Sequence, residues 1–118
     1  MTDARLARLT LGVIFIYHGL VPKLLFLSPT ELRMLDAHGL PHAVAALAGV
    51  AEILLGLAIV LLRRQRWPLW LALAALLVLL VDVAIFAPAL LTEAFNPVTL
   101  NLAASVLCVI ALRGIRVG

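Results

Sequence analysis

The sequence predicts an all-α integral membrane protein, a four-helix bundle with a short amphipathic surface helix between helices one and two. Three observations carry this. First, 65% of the 118 residues are hydrophobic and 13% charged, with a mean hydropathy of +1.21; soluble domains are about half apolar and about a quarter charged. A chain this short cannot hide such an excess in a core, because small domains have too much surface. Second, the apolar residues form four runs, each near the ~20 residues that cross a hydrocarbon layer of about 30 Å. Third, the basic residues stand at the ends of those runs, as membrane-flanking anchors do. That placement also argues against nucleic acid as the partner of a chain with net charge +3.

The first helix is expected over about 6–27, with His18 and Lys23 inside it. Arg5 and Arg8 at its start raise a signal peptide as the competing reading. The length of the run, its His and Lys, and the lack of an A-x-A site favour a span. Ser28-Pro29-Thr30-Glu31 has the form of a capping box, with Ser at N-cap, Pro at N1 and Glu at N3. Leu32 and Leu35 then recur at helical spacing, and Gly39 and Pro41 end the segment. This predicts a short helix lying at the membrane surface. The second and third spans are expected over about 43–62 and 67–87, with Trp67 and Trp70 suited to the interfacial belt. Asn96 as N-cap and Pro97 at N1 open the last helix, over about 96–112. Residues 1–118 are expected to form one domain.

Four spans put both termini and the second loop on one face. That face gathers Arg5, Arg8, Arg63, Arg64, Arg66, Arg113 and Arg116, against Lys23 and Arg33 on the other. The positive-inside rule then predicts cytoplasmic termini. At about 1.5 Å per residue, His18, Glu52, Asp82 and Asn101 all fall at middle-to-outer depth, one on each span. Lys23 and Asn96 sit at the outer rim, and the inner half is almost purely aliphatic. Ionisable groups inside a membrane cost several kcal/mol and usually face the bundle interior or a cavity. A shared polar pocket near the outer face is one reading; a hydrogen-bond network locking the helices together is the other.

Glu52 is the foremost candidate. Gly49 and Gly56 share its helix face and permit close approach of a neighbour, which turns the carboxyl inward. It must be protonated or paired, because an isolated carboxylate in hydrocarbon is too costly. Lys23 and His18 are the candidate partners. On straight helices Lys23 lies more than about two turns nearer the outer surface, so desolvation is expected to win, with Glu52 protonated near neutral pH or sharing a proton with His18. The candidate pocket residues are Tyr17, His18, Lys23, Glu52, Asp82, Asn96 and Asn101. Each has a structural alternative: packing for Tyr17, a core imidazole for His18, a snorkelling lysine for Lys23, a helix-locking contact for Glu52 and Asp82, a helix cap for Asn96 and a helix bridge for Asn101.

Other chemistry finds little support. His38 and His42 are four apart, but Gly39 and Pro41 between them break the helix a zinc pair would need. Haem ligation by His18 has no second feature behind it. The single Cys108 excludes an intrachain disulfide and a C-x-x-C redox pair, and suits packing. No nucleophile–base pair, phosphate loop or dinucleotide fingerprint is visible.

Four strings carry a family likeness: Tyr17-His18-Gly19-Leu20-Val21-Pro22-Lys23-Leu24-Leu25, Ser28-Pro29-Thr30-Glu31-Leu32, Ala51-Glu52-Ile53-Leu54-Leu55-Gly56 and Phe95-Asn96-Pro97-Val98-Thr99-Leu100-Asn101. From about residue 5 to 112 the chain resembles the DoxX-like small membrane proteins. The resemblance implies a four-helix protein of a bacterial inner membrane, and a link to quinone-coupled redox, because the founding DoxX is a small subunit of a thiosulfate:quinone oxidoreductase. It implies His18, Lys23, Glu52, Asn96 and Asn101 as signature positions; Asp82 lies outside the strings. Three functions stay open. One is a small subunit or accessory of a quinone-linked system, with a quinone head group in the pocket and the electron-carrying cofactor on a membrane or redox partner. Another is a non-catalytic assembly or stability factor, and the third is a small transporter. Enzyme activity and homo-oligomer formation stay open too.

The topology is directly testable. A membrane-impermeant thiol reagent applied to intact cells should label Ser28→Cys and spare Gln65→Cys. The reverse pattern would overturn the orientation and move the polar residues to the cytoplasmic half.

Overall fold

The computed structural model describes residues 2–115; Arg116, counted above among the flanking arginines, lies outside them. The elements in chain order are α1 (Asp3–Leu20), a π-helical turn over Val21–Leu25, α2 (Pro29–Ala37), α3 (Ala43–Leu61), α4 (Trp67–Phe86), a 3-10 turn over Pro88–Thr92, and α5 (Pro97–Arg113). There are thus four long helices and the short α2 between the first two, as the apolar runs predict. Three segments, Asp3–Leu25, Ala43–Leu61 and Trp67–Phe86, are long and apolar enough to cross a membrane, and α5 is a shorter apolar helix.

Local chemistry sets the boundaries. The Thr2 side chain caps α1 by accepting from the Arg5 N–H. Pro22 has no N–H, so the α-helical bond to the His18 carbonyl cannot form. The chain widens there into a π turn, closed by the Phe26 N–H donating to the Val21 carbonyl at 2.8 Å. Ser28 Oγ accepts from the Glu31 N–H and starts α2. Gly39, at φ 67°, ends it, and the Leu40 N–H reaches back to the Leu35 carbonyl at 2.9 Å. That is a Schellman-type stop, which needs the left-handed conformation glycine adopts freely. Asn96 caps α5 by accepting from the Thr99 N–H at 3.0 Å.

Around the bundle the order is α3, α1, α5, α4; α3 and α4, though consecutive, touch only lightly, and α2 bridges them at one end. The α1–α3 contact is the most extensive, and glycines set it. A Cβ on Gly49 would stand 2.6 Å from the Gly19 carbonyl oxygen, and one on Gly56 would stand 2.7 Å from that of Gly12. Two antiparallel glycine pairs therefore let the backbones meet, the arrangement small residues make in membrane helices. The core lies toward the arginine-rich end and includes Leu11, Phe15, Ile59, Leu69, Ala72, Leu76, Ala104 and Cys108. Outward-facing Leu47, Leu61, Val78 and Ile85 are each about two-thirds exposed or more, an apolar girdle that only lipid covers at low cost.

Arg8 departs from its expected role as a surface anchor. It is 4% exposed, and its Nη1 donates to the Ile59 and Leu62 carbonyls at 2.9 and 3.2 Å. A guanidinium there engages carbonyls at the end of α3 and complements its dipole.

Candidate functional site

The opposite end of the bundle holds the polar cluster, and Lys23 is its centre. Lys23 Nζ lies 2.8 Å from Glu31 Oε1 and 3.2 Å from Glu52 Oε1. It also donates to the His18 carbonyl oxygen at 3.4 Å, the acceptor that Pro22 leaves vacant. One ammonium thus ties the end of α1 to α2 and α3. The Lys23 side chain is 10% exposed, and those of Glu31 and Glu52 are 25% and 20%.

This differs from the arrangement straight helices predict, in which His18 is the nearer partner of Glu52. Helical side chains lean toward the N-terminus of their own helix. Because α1 and α3 run antiparallel, Lys23 leans inward and Glu52 leans outward, and the two close a gap that Cα depth alone leaves open. The lysine stem has room to do so because it passes over Gly49: a Cβ on that glycine would be 3.1 Å from Lys23 Cβ. Likewise a Cβ on Gly19 would stand 3.0 Å from Glu52 Cβ. The glycines that set the helix contact also frame the ion pair.

Glu52 Oε2 is buried and has no hydrogen-bond partner among the described residues. Two carboxyl groups share one ammonium, so the cluster has spare acceptor capacity in a poorly solvated place. Such a group can receive a proton or a ligand O–H or N–H. Glu31 enters the site through a capping box that is only half formed. Ser28 Oγ caps the Glu31 N–H, but the Ser28 N–H donates to the Pro22 carbonyl. The Glu31 carboxylate is thereby free to face Lys23.

The sequence profile of the DoxX-like family matches residues 12–109. The chain belongs to the DoxX-like family. No curated protein and no solved structure matches it.

In this DoxX-like protein the other candidates sit apart from the Lys23 cluster. His18 and Tyr17 are exposed neighbours on α1, their rings edge-to-face at 6.5 Å. Asn96 serves as the α5 cap and donates through Nδ2 to the Glu93 carbonyl at 3.0 Å. Asn101 Nδ2 donates to the Leu76 carbonyl at 2.9 Å, a bridge from α5 to α4. Among the described residues there is no grouping of three His, Cys, Asp or Glu placed to hold a metal ion.

Asp82 forms a second polar contact with a residue that the spacing argument set aside. His38 Nε2 lies 2.8 Å from Asp82 Oδ1, and His38 Nδ1 lies 2.7 Å from the Met34 carbonyl. The ring also stacks on Phe86, with centroids 4.0 Å apart. A carbonyl only accepts, so Nδ1 carries a proton. Opposite an ionised Asp82, Nε2 must then carry one as well, which makes the imidazolium the matching state. The Met34 carbonyl first, and the Asp82 carboxyl next, push the His38 pKa above its usual value. This latch fastens α2 to α4. The Leu35 side chain is buried beneath the same helix, and Arg33 and Glu93 make a long, exposed ion pair at 3.8 Å, a contact worth little.

The sign of the pH dependence follows. A raised folded-state pKa contributes stability that is complete below the unfolded value, about 6.5 for histidine, and is lost as pH rises through the raised value. Hydrogen exchange at α2 amides should therefore speed up as pH is raised above about 6.5, beyond the intrinsic base catalysis of exchange. In Asp82→Asn this extra acceleration should shrink. An α2 whose corrected protection ignores both pH and Asp82→Asn would contradict the latch.

Proposed function

We propose that this protein is a small subunit or accessory of a quinone-linked redox system, and that the Lys23–Glu31–Glu52 cluster receives the quinone head group. The observation that carries the reading is the buried, unpartnered Glu52 Oε2 beside the Lys23 ammonium. A quinone carbonyl can accept from Lys23, and a hydroquinone O–H can donate to Glu52. Conversion of quinone to hydroquinone takes up two electrons and two protons. In this reading the electrons come from a redox centre on a partner subunit, while Glu52, with Lys23 and Glu31 around it, passes protons at the head group. The quinone class comes from the family resemblance; the donor and acceptor pattern is compatible with it. The reading places the chain in a bacterial inner membrane with both termini cytoplasmic.

A second reading, an assembly or stability factor, draws on a different observation. Asn101 bonds a backbone carbonyl on α4, Asp82 fastens α2, and Lys23 joins three segments. Polar groups engaged in this way hold helices together whatever else they do. A transporter ranks below both, because the aliphatic core at the arginine-rich end offers no continuous polar path.

Purification with native lipid, followed by extraction and mass spectrometry, tests the first reading. The wild-type protein should retain a quinone, and added quinone should raise its melting temperature. Glu52→Gln keeps the size and hydrogen bonding of the neutral acid but cannot release a proton. It should stay folded and bind quinone while quinone reduction with its partner falls by about 100-fold or more, the scale of a lost proton-transfer group. If no small molecule is recovered and quinone leaves stability unchanged, the quinone reading fails; collapse of the bundle in Glu52→Ala then favours the assembly role.

A further inference from the structure

The arginine-rich end carries a second polar feature that the proposed quinone site does not use. A cleft of about 160 Å³ opens where α1 begins and α3 and α5 end, lined by Arg5, Arg8 and Arg63 together with Thr2, Ala4, Ala111, Gly114 and Ile115. Arg8 is more than nine-tenths buried. Its Nη1 is spent on the end of α3, but its Nη2 is buried with no hydrogen-bond partner among the described residues. None of the three guanidiniums pairs with a carboxylate among those residues. Three like charges around one cleft repel one another unless an anion sits between them. An unpaired buried guanidinium N–H adds a cost of its own, because it has lost its water without gaining an acceptor.

We propose that this cleft binds a phosphate group. Guanidinium presents several N–H donors in a planar fork that matches phosphate oxygens, and it holds its charge when desolvated. The first turn of α1, which contributes Thr2, Ala4 and Arg5 to the wall, adds the positive end of its helix dipole. The cleft lies where the apolar helices end in arginines, the level at which lipid phosphates lie against a membrane protein. An anionic phospholipid headgroup is therefore the source the placement favours, and free phosphate is the other source of the same chemistry.

The test uses the full chain in a neutral detergent, with lipid binding read by native mass spectrometry and by melting temperature. The probes are phosphatidylglycerol, phosphatidylcholine and inorganic phosphate. Arg8 is left in place because it also caps α3. The wild type should bind phosphatidylglycerol about tenfold or more tightly than phosphatidylcholine. Arg5→Gln combined with Arg63→Gln should reduce that affinity about tenfold without lowering the melting temperature of the lipid-free protein. Arg64→Gln combined with Arg113→Gln, which removes the same charge outside the cleft, should leave it near the wild-type value. Equivalent stabilisation by inorganic phosphate, lost in the Arg5/Arg63 variant, would support the site and assign it to free phosphate. The proposal is overturned if neither phosphatidylglycerol nor phosphate binds preferentially, or if both double variants lose affinity equally.

Discussion

One ammonium group organises the polar end of this protein. Lys23 Nζ meets carboxylates from α2 and α3 and a backbone carbonyl of its own helix. That convergence needs three local features at once. Pro22 frees the His18 carbonyl and widens the helix into a π turn. Gly49 gives the lysine stem a path across α3. The half-formed capping box at Ser28 leaves the Glu31 side chain to face inward. Removing the ammonium would strand two carboxyl groups in a place with little water, which is far more costly than losing an exposed ion pair.

The two ends of the bundle divide the physical work. At the arginine-rich end, close aliphatic packing and the buried Arg8 cap hold the helices. At the other end the helices meet through polar groups, and α2 lies across them, fastened to α1 by Glu31 and to α4 by His38. Its attachment is electrostatic on both sides, with the Phe86 stack and buried Leu35 as the apolar part. A cover held in this way can loosen with protonation state or with a ligand that competes for Lys23, while the glycine-set α1–α3 contact beneath it stays unchanged. That asymmetry is compatible with the proposed admission of a quinone head group.

Much of this was legible in the sequence. Apolar runs of membrane length, with arginines and capping residues between them, located the helices to within a few residues, and Gly49 and Gly56 pointed Glu52 toward a neighbouring helix. The partners were harder to read. Depth counted along straight axes separated Lys23 from Glu52, because it ignores the opposite lean of side chains on antiparallel helices. Glu31 looked fully accounted for as a capping residue, but the Ser28 N–H goes to the Pro22 carbonyl and leaves the Glu31 carboxylate free. His38 was weighed against His42 as a metal pair; its real partner, Asp82, is 44 residues away, and no local spacing announces such a contact. Arg8 looked like its neighbour Arg5, and only the packing of α1 on α3 makes it a buried cap. The signal that could have flagged Glu31 and His38 was their position on a short amphipathic segment directly beside a string containing Lys23.

The most direct test of the central interaction is a double-mutant cycle on unfolding free energy with Lys23→Met, Glu52→Gln and the pair combined. If Lys23 and Glu52 are in contact across α1 and α3, the double variant should differ from the sum of the single changes by about 1 kcal/mol or more, as residues sharing a buried charged contact do. Additivity to within about 0.3 kcal/mol, the behaviour of independent sites, would contradict the account.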